Sequence, residues 1–402
     1  MWNITSFTET SATPDNLSPL PFFQSPTLQQ AIDPHHANNS ITDLLQGNFL
    51  PSRVSDYQLN DAEKGFLESL KTMATSDVQL HLLLEDFHQY FKSKQEETAS
   101  SPSGRHMGHY RAMLECLHCN NTILPSIILN IAMISLQMAT PLTRWQQASQ
   151  IMLEKGKENH IENLWIIQLC KADLNFILHV IWGKRLIRHA FHHLDKAQFA
   201  IPGQTCHNAV ISKQLYLDLS RQTFSTRLMI DYDAKAAFDR DISGIANLAC
   251  QRFGLPKIAG DFTHNLLFHM SFHLVTGFGK SAATFSNADD FPNIGQGVLQ
   301  CSSSACPIYI LNSDICLQSY KKRSVGARFI HPVNGTYISD HAVQFVDDTT
   351  QFINAQGTLP SQNTQDTGIS EPSLFTCAQK NISEWNDLIW FSGGKLHPQK
   401  CY

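Results

Sequence analysis

QFVDD (344–348) follows a short run with strand character and precedes TTQFI (349–353). Apolar residues on both sides of a charged pair read as a tight β-hairpin with Asp347 and Asp348 at its tip. Aspartate tolerates turn backbone angles, so the pair alone fits a turn former as well as a functional group. A second acidic strand end changes that balance. RLMIDYD (227–233) reads as a strand that delivers Asp233 to its end. Asp239 or Asp241 can cap the helix that follows, which leaves Asp233 free for another role. If Asp233 and the Asp347 pair sit on neighbouring strands, their like charges raise each other's pKa unless a cation intervenes. Carboxylate oxygens are hard ligands, so Mg²⁺ is the expected ion, with Mn²⁺ as the alternative. Two such ions about 3.5–4 Å apart clamp the attacking and leaving oxygens of a phosphoryl transfer. The candidate metal ligands are therefore Asp233, Asp347 and Asp348.

The chain around these residues is long enough for one large domain or two smaller ones: 402 residues, 42% of them hydrophobic. Its net charge of −5 excludes a global basic field for nucleic acid, though a local basic channel can hide in an acidic average. Ten scattered cysteines and a polar N-terminus without a signal-peptide pattern point to reduced thiols in an intracellular protein, of the cytoplasm or the nucleus. The most apolar stretch, 123–138, is interrupted by Pro125, Ser126, Asn130 and Ser135. It is too short and too polar to span a bilayer and reads as a core helix, so no membrane partner is expected.

Residues 1–60 are rich in Ser, Thr, Pro, Asn and Gln and read as a disordered leader. Helical patterning starts near Asp61. Helices are expected over 78–92, 107–118, 124–138, 172–194 and 207–220. The strand 227–233 follows, then helices over 241–253, stopped by Gly254 and Pro256, and over 257–270. Hairpins fit 272–286 and 328–338, the latter around Asn334-Gly335, with a helix over 303–319 between them. A polar linker over 355–371 leads to a helix over 372–391 that ends at Gly393-Gly394. The expected class is α+β, with an antiparallel sheet backed by helices.

Three other signals are weaker. Cys116-x-x-Cys119, with His106, His109 and His118 nearby, lacks the second ligand pair of a zinc site. GFGKS (277–281) has Leu274 where a phosphate loop needs its first glycine. Lys184, Arg185 and Arg188 fit a solvated helix face as well as a nucleic-acid track.

DAKAAFD (233–239), GQGVLQCS (295–302) and FVDD (345–348), in that order, resemble three successive palm motifs of reverse transcriptases. WQQASQIMLEKGKENHIENLWIIQL (145–169) resembles the finger segment of the non-LTR retrotransposon type. QFAIPGQTCHNAV (198–210) resembles the segment leading into the palm, and WNDLIWFSGGKLHPQKC (385–401) the fourth palm motif. The resemblance covers about residues 100–402. It implies right-hand polymerase fingers and palm: a helical N-terminal extension over 61–144, a fingers-like region over 145–226 and a palm-like region over 227–402, with no thumb.

The implied reaction is RNA-directed DNA synthesis, with RNA template, DNA primer and dNTPs as partners. On that resemblance Asp233 and Asp347 bind both metals, Asp348 supports them, and the Ala234 carbonyl completes one shell. Phe238 crowds the sugar 2′ position, as the aromatic of DNA-synthesising members does. Gln296 and Gly297 let the backbone approach the nucleotide. Lys400 contacts or protonates the leaving pyrophosphate, and Lys155 meets the triphosphate. Two departures stand out. Trp165 replaces the arginine that would grip triphosphate oxygens, and Cys301-Ser302 replaces the common Ser-Pro. With the chain ending at Tyr402, these suggest a truncated or decayed copy. A catalytically inactive relative that retains nucleic-acid binding, and a purely structural protein whose carboxylates form turns, are the competing readings.

Overall fold

The computed structural model describes residues 39–49, 59–74, 76–95, 103–115, 122–154, 164–286, 297–331, 333–355 and 371–401. Lys155, Gln296, Cys116, Cys119, His118 and nearly all of the 355–371 linker lie outside them. In chain order the helices are α1 (Asn39–Gln46), α2 (Asp61–Ser69), α3 (Leu84–Lys92), α4 (Met107–Glu115) and α5 (Ile123–Gln137). Strands β1 (Gln147–Leu153) and β2 (Trp165–Leu169) precede α6, which runs over Ala172–Leu178, loosens to π geometry over His179–Leu186 and closes over Ile187–Ala190. Then come α7 (Cys206–Gln222), β3 (Arg227–Tyr232), α8 (Ala237–Arg240), α9 (Ser243–Arg252) and α10 (Lys257–Phe268). The chain continues through β4 (Ser271–Thr276), β5 (Gly279–Ser286), α11 (Ala305–Arg323), β6 (Ala327–Ile330), β7 (Tyr337–Asp340), β8 (Ala342–Phe345), β9 (Asp348–Asn354) and α12 (Glu371–Phe391).

The class is α+β. The expected antiparallel sheet is present as β3-β9-β8, with Arg227 opposite Asn354 and Ala342 opposite Gln351. Helices cover both of its faces. Met229, Val343 and Phe352 point to α7, where the Tyr216 ring stacks on Phe352 at 4.4 Å. Tyr232, Ala342 and Ile353 point to the other side, toward α11 and α12. The fully buried Trp385 of α12 packs there against Tyr232 and Tyr320. A sheet clad on both faces favours apolar or paired residues, and the polar residues that β9 buries are largely bonded: the Thr349 hydroxyl accepts from Gln344, the Thr350 hydroxyl donates to Asp231, and the Gln351 side-chain carbonyl oxygen accepts from the Tyr232 hydroxyl.

A second, four-stranded sheet has the order β2-β1-β4-β5. It is mixed: β1 runs antiparallel to β2 but parallel to β4, with Gln147 opposite Ser271. This pairing joins the region expected as fingers to residues that follow Asp233. One apolar cluster likewise draws on Phe87, Trp145, Phe176, Trp182, Phe262 and Ile308, so α3, α4 and α5 pack into the same core as the later elements. The GFGKS stretch spans the β4–β5 turn at Gly277-Phe278 and the first residues of β5.

Three local expectations change. The leader expected over 1–60 contains α1. Ile41 and Leu44, spaced by three, bury with Phe49 against α2, α9, α11 and α12, and that contact outweighs the polar composition around them. The helix expected from Val78 starts at Leu84. Residues 79 and 81 instead turn their carbonyls to Arg185, which donates to both at 2.8 Å and to Asp86 at 2.6 Å. Arg185 is therefore a staple and not a free cation. The core helix expected over 123–138 buries only one face, through Leu129, Ala132 and Leu136. Among the described residues no helix is long and apolar enough to cross a membrane.

Candidate active site

Side chains alternate along β3, so Asp231 and Asp233 share the face that α7 covers. Lys213 of α7 meets Asp231 at 2.9 Å, and the Thr350 hydroxyl donates to the same carboxylate. Tyr232 is the last β3 residue in register, opposite Thr349. Asp233 thus leaves the ladder beside Asp348, the first residue of β9.

Phe345 pairs with Asp348, which leaves Val346 and Asp347 as the two-residue hairpin tip. Val346 has φ +59, a region that a β-branched residue rarely adopts. Such a residue costs about 1–3 kcal/mol and persists only when its surroundings hold it. Burial raises the pKa of Asp347, and the charges of Asp348 and Asp233 raise it further. Burial also raises Asp348, with Asp233 adding to it and Lys213 opposing. The fold therefore brings Asp233, Asp347 and Asp348 within electrostatic reach of one another at one end of the sheet.

The donor set suits a hard divalent cation in kind. As the side chains stand, no group of three or more His, Cys, Asp or Glu forms a metal-holding cluster among the described residues. The counter-charge on Asp233 is Lys400, whose Nζ lies 3.0 Å from Oδ2. Lys400 reaches it because residues 395–397 run alongside 233–235. Lys235 donates its amide to the Lys395 carbonyl at 2.7 Å, and His397 donates to the Asp233 carbonyl at 2.9 Å. These bonds flank the Ala234–Leu396 bridge, so the Ala234 carbonyl faces away from that pairing.

Phe238, on α8, is half-buried with its ring centroid 5.2 Å from that of Tyr309. Gly297, at φ +92, donates its amide to the Asp241 carbonyl at 2.9 Å, and Val298 donates to that of Phe238 at 2.9 Å. Burial raises the pKa values of Cys306 and Tyr309 of α11, and the charge of Asp347 adds to it. Trp165 opens β2 opposite Leu153 and is 45% exposed, an aromatic surface where a cation was the alternative.

Several supporting residues escaped the sequence reading. Gln198 donates its side-chain amide to Gln344 at 3.0 Å, and Gln344 donates to the Thr349 hydroxyl at 3.2 Å. All three are buried, and Phe199 and Gln344 exchange backbone bonds with Gln344 and Ala197. This network pins the base of the aspartate hairpin. A glutamine between Val343 and Phe345 in a buried strand was its one visible signal. Asp231 was legible from the alternation in IDYD.

Asp241 does not cap a helix by its side chain. It is fully buried and accepts from the Asn312 amide of α11 at 2.5 Å, while its Oδ2 and the Asn312 Oδ1 have no hydrogen-bond partner. Burial pushes its pKa well above the usual carboxylate range, against the lowering effect of the Asn312 bond. A proton on Asp241 lets the acid donate to an acceptor such as Asn312 Oδ1. Because the folded pKa exceeds the unfolded one, this contribution to stability is complete below the unfolded pKa and declines as pH rises toward the folded pKa, by up to ~1.4 kcal/mol per pH unit. Asp241→Asn is expected to remove that decline. Urea midpoints measured from pH 5 to 8 should fall less with pH in the variant, and parallel curves would contradict a protonated Asp241.

No protein-family model and no curated protein matches this chain.

Proposed function

We propose that the chain is a reverse transcriptase domain of the non-LTR retroelement type, which adds dNTPs to a primer 3′-hydroxyl on an RNA template. The observation that carries this reading is the convergence of Asp233, Asp347 and Asp348 at one end of a helix-clad antiparallel sheet. The contacts among the motif segments support it. Residues 297–298 bond to 238–241, and residues 395–397 bond to 233–235.

Asp233 and Asp347 would hold Mg²⁺, or Mn²⁺ in its place, with Asp348 and the Ala234 carbonyl in support. When bound, the ions supply activation of the primer hydroxyl and neutralise charge on the phosphoryl oxygens. The chain's own residues then position and select. The Asp231–Lys213 pair and the Gln198–Gln344–Thr349 network hold the carboxylate-bearing backbone in place. Lys400, paired with Asp233 here, would give up that carboxylate to a bound cation and would then be free to meet pyrophosphate oxygens. Phe238, braced by Tyr309, limits space at the sugar. Phe238→Ala is expected to relax discrimination against ribonucleotides by about tenfold or more. Parallel extensions with dNTPs and rNTPs measure this, and an unchanged ratio would remove Phe238 from the sugar pocket.

The Lys400–Asp233 ion pair and the absence of a cation at Trp165 favour a second reading, an inactive relative that retains nucleic-acid binding. Primer extension on poly(rA)/oligo(dT) with Mg²⁺ or Mn²⁺ separates the two. Extension supports the polymerase; binding without extension supports the inactive relative. Neither binding nor extension overturns both.

A further inference from the structure

Helix α5 is apolar on two opposite sides. Leu129, Ala132 and Leu136 face the core, where the neighbouring Met133 sulfur accepts the Leu82 amide and the Ala139 carbonyl accepts from Asn265 of α10. On the other side stand Leu124, Ile127, Ile131, Ile134 and Met138, the last of these capping the helix, between 41% and 68% exposed. Single exposed apolar residues are ordinary, but a continuous stripe marks an interaction surface.

The stripe has its own geometry. Its intervals are three, four, three and four residues, the spacing of the a and d positions in a coiled-coil seam. The helix ILPSIILNIAMISLQ contains no charged residue. A helix that is apolar nearly all round is normally a buried one. A lipid surface fits poorly, because helices that lie in the interface carry Lys and Arg on their polar face, and here the outward polar groups are Ser126, Asn130 and Gln137. A charged peptide groove finds no complement for the same reason. A second copy of the stripe fits, because equal spacing lets each side chain pack between those of its counterpart about a two-fold axis. Two stripes of this length remove on the order of 1,000 Å² from water, where specific protein interfaces begin.

We propose that α5 is a homodimer seam, in which Leu124, Ile127, Ile131, Ile134 and Met138 pack against the same residues of a second copy of this chain. The seam is independent of the catalytic reading.

Sedimentation velocity of the full chain tests it, over concentrations from about 1 to 100 µM to capture a weak association. The expected result is a shift from monomer to dimer with rising concentration. Ile127→Glu with Ile131→Glu should weaken the dimer at least tenfold and leave the Tm of the monomer unchanged, since both side chains are exposed in the single chain. Ile131→Cys lies at the middle of the stripe. With oxidised glutathione as the oxidant it should yield a covalent dimer well above the background set by the parent chain's exposed Cys206, Cys301 and Cys306. A monomer at every concentration overturns the proposal, as does a dimer indifferent to the double substitution. A fall in monomer Tm on substitution overturns it too, because the stripe is then covered by its own chain. Vesicle co-sedimentation that the substitution abolishes assigns the face to lipid instead.

Discussion

On the proposed polymerase function, primer extension is expected to fall by about 10³-fold or more, roughly 4 kcal/mol of lost transition-state stabilisation, when Asp347 and Asp348 are both replaced by asparagine. Asparagine keeps the shape of each side chain and removes both negative charges. The hairpin tip should therefore stay folded. Its stability should even rise slightly, because burial and the neighbouring carboxylates raise the pKa of Asp347 and disfavour its charge in the wild type. Opposite signs in activity and stability are the diagnostic outcome, since a variant that merely unfolds loses both. Extension rates and thermal unfolding on the same preparations measure the two quantities. Extension that survives the double substitution removes the metal role from this hairpin, and with it the polymerase reading. Raising Mg²⁺ should not restore the variant, because amide oxygens offer the ion no formal charge.

Gly393→Ala is expected to destabilise the fold by about 3 kcal/mol, near the upper end of single-substitution effects. Gly393 follows α12 at φ +101, a backbone conformation that side chains rarely adopt. A Cβ there would lie 2.4 Å from the Arg240 carbonyl oxygen and 2.7 Å from Ile242 Cγ1. The first neighbour is backbone held by the Ile242–Ser392 hydrogen bond of 3.0 Å, so it cannot swing aside. Relief requires the 393–397 segment to move away from 233–235, and Lys400 would leave Asp233 with it. Urea denaturation reads the stability loss. Gly335→Ala is the control: its φ of +67 also disfavours a side chain, yet nothing lies within 4 Å, so it should cost only about 1 kcal/mol. Equal effects at the two positions would show that the close approach at Gly393 is unimportant.

Much of the secondary structure was legible because its signals are local. Helical patterning starts near Asp61, and the structure caps that start with Asn60 and Glu63, which bond reciprocally at 2.8 and 2.7 Å. Alternation in RLMIDYD and around QFVDD marks strands β3, β8 and β9, and Asn334-Gly335 marks the turn region between β6 and β7. What failed was governed by distant partners. Residues 78–83 carry helical spacing but are drawn out by Arg185, about a hundred positions later. Strand β1 finds its parallel partner β4 beyond residue 270, so neither its edge nor its register is written near it.

Residue order alone pointed to carboxylates at the ends of two strands, to a long apolar helix over about 124–138, and to a basic residue, Lys400, after the final helix. Folding chose which of these meet. It set Asp233 beside the Asp347 pair, gave Lys400 to Asp233, sealed Asp241 against Asn312 and left one side of α5 open. The physical reason is one of range. Periodicity reports how a few neighbouring residues meet water and their own backbone. An ion pair across 167 positions, such as Asp233 with Lys400, exists only once every intervening element has packed.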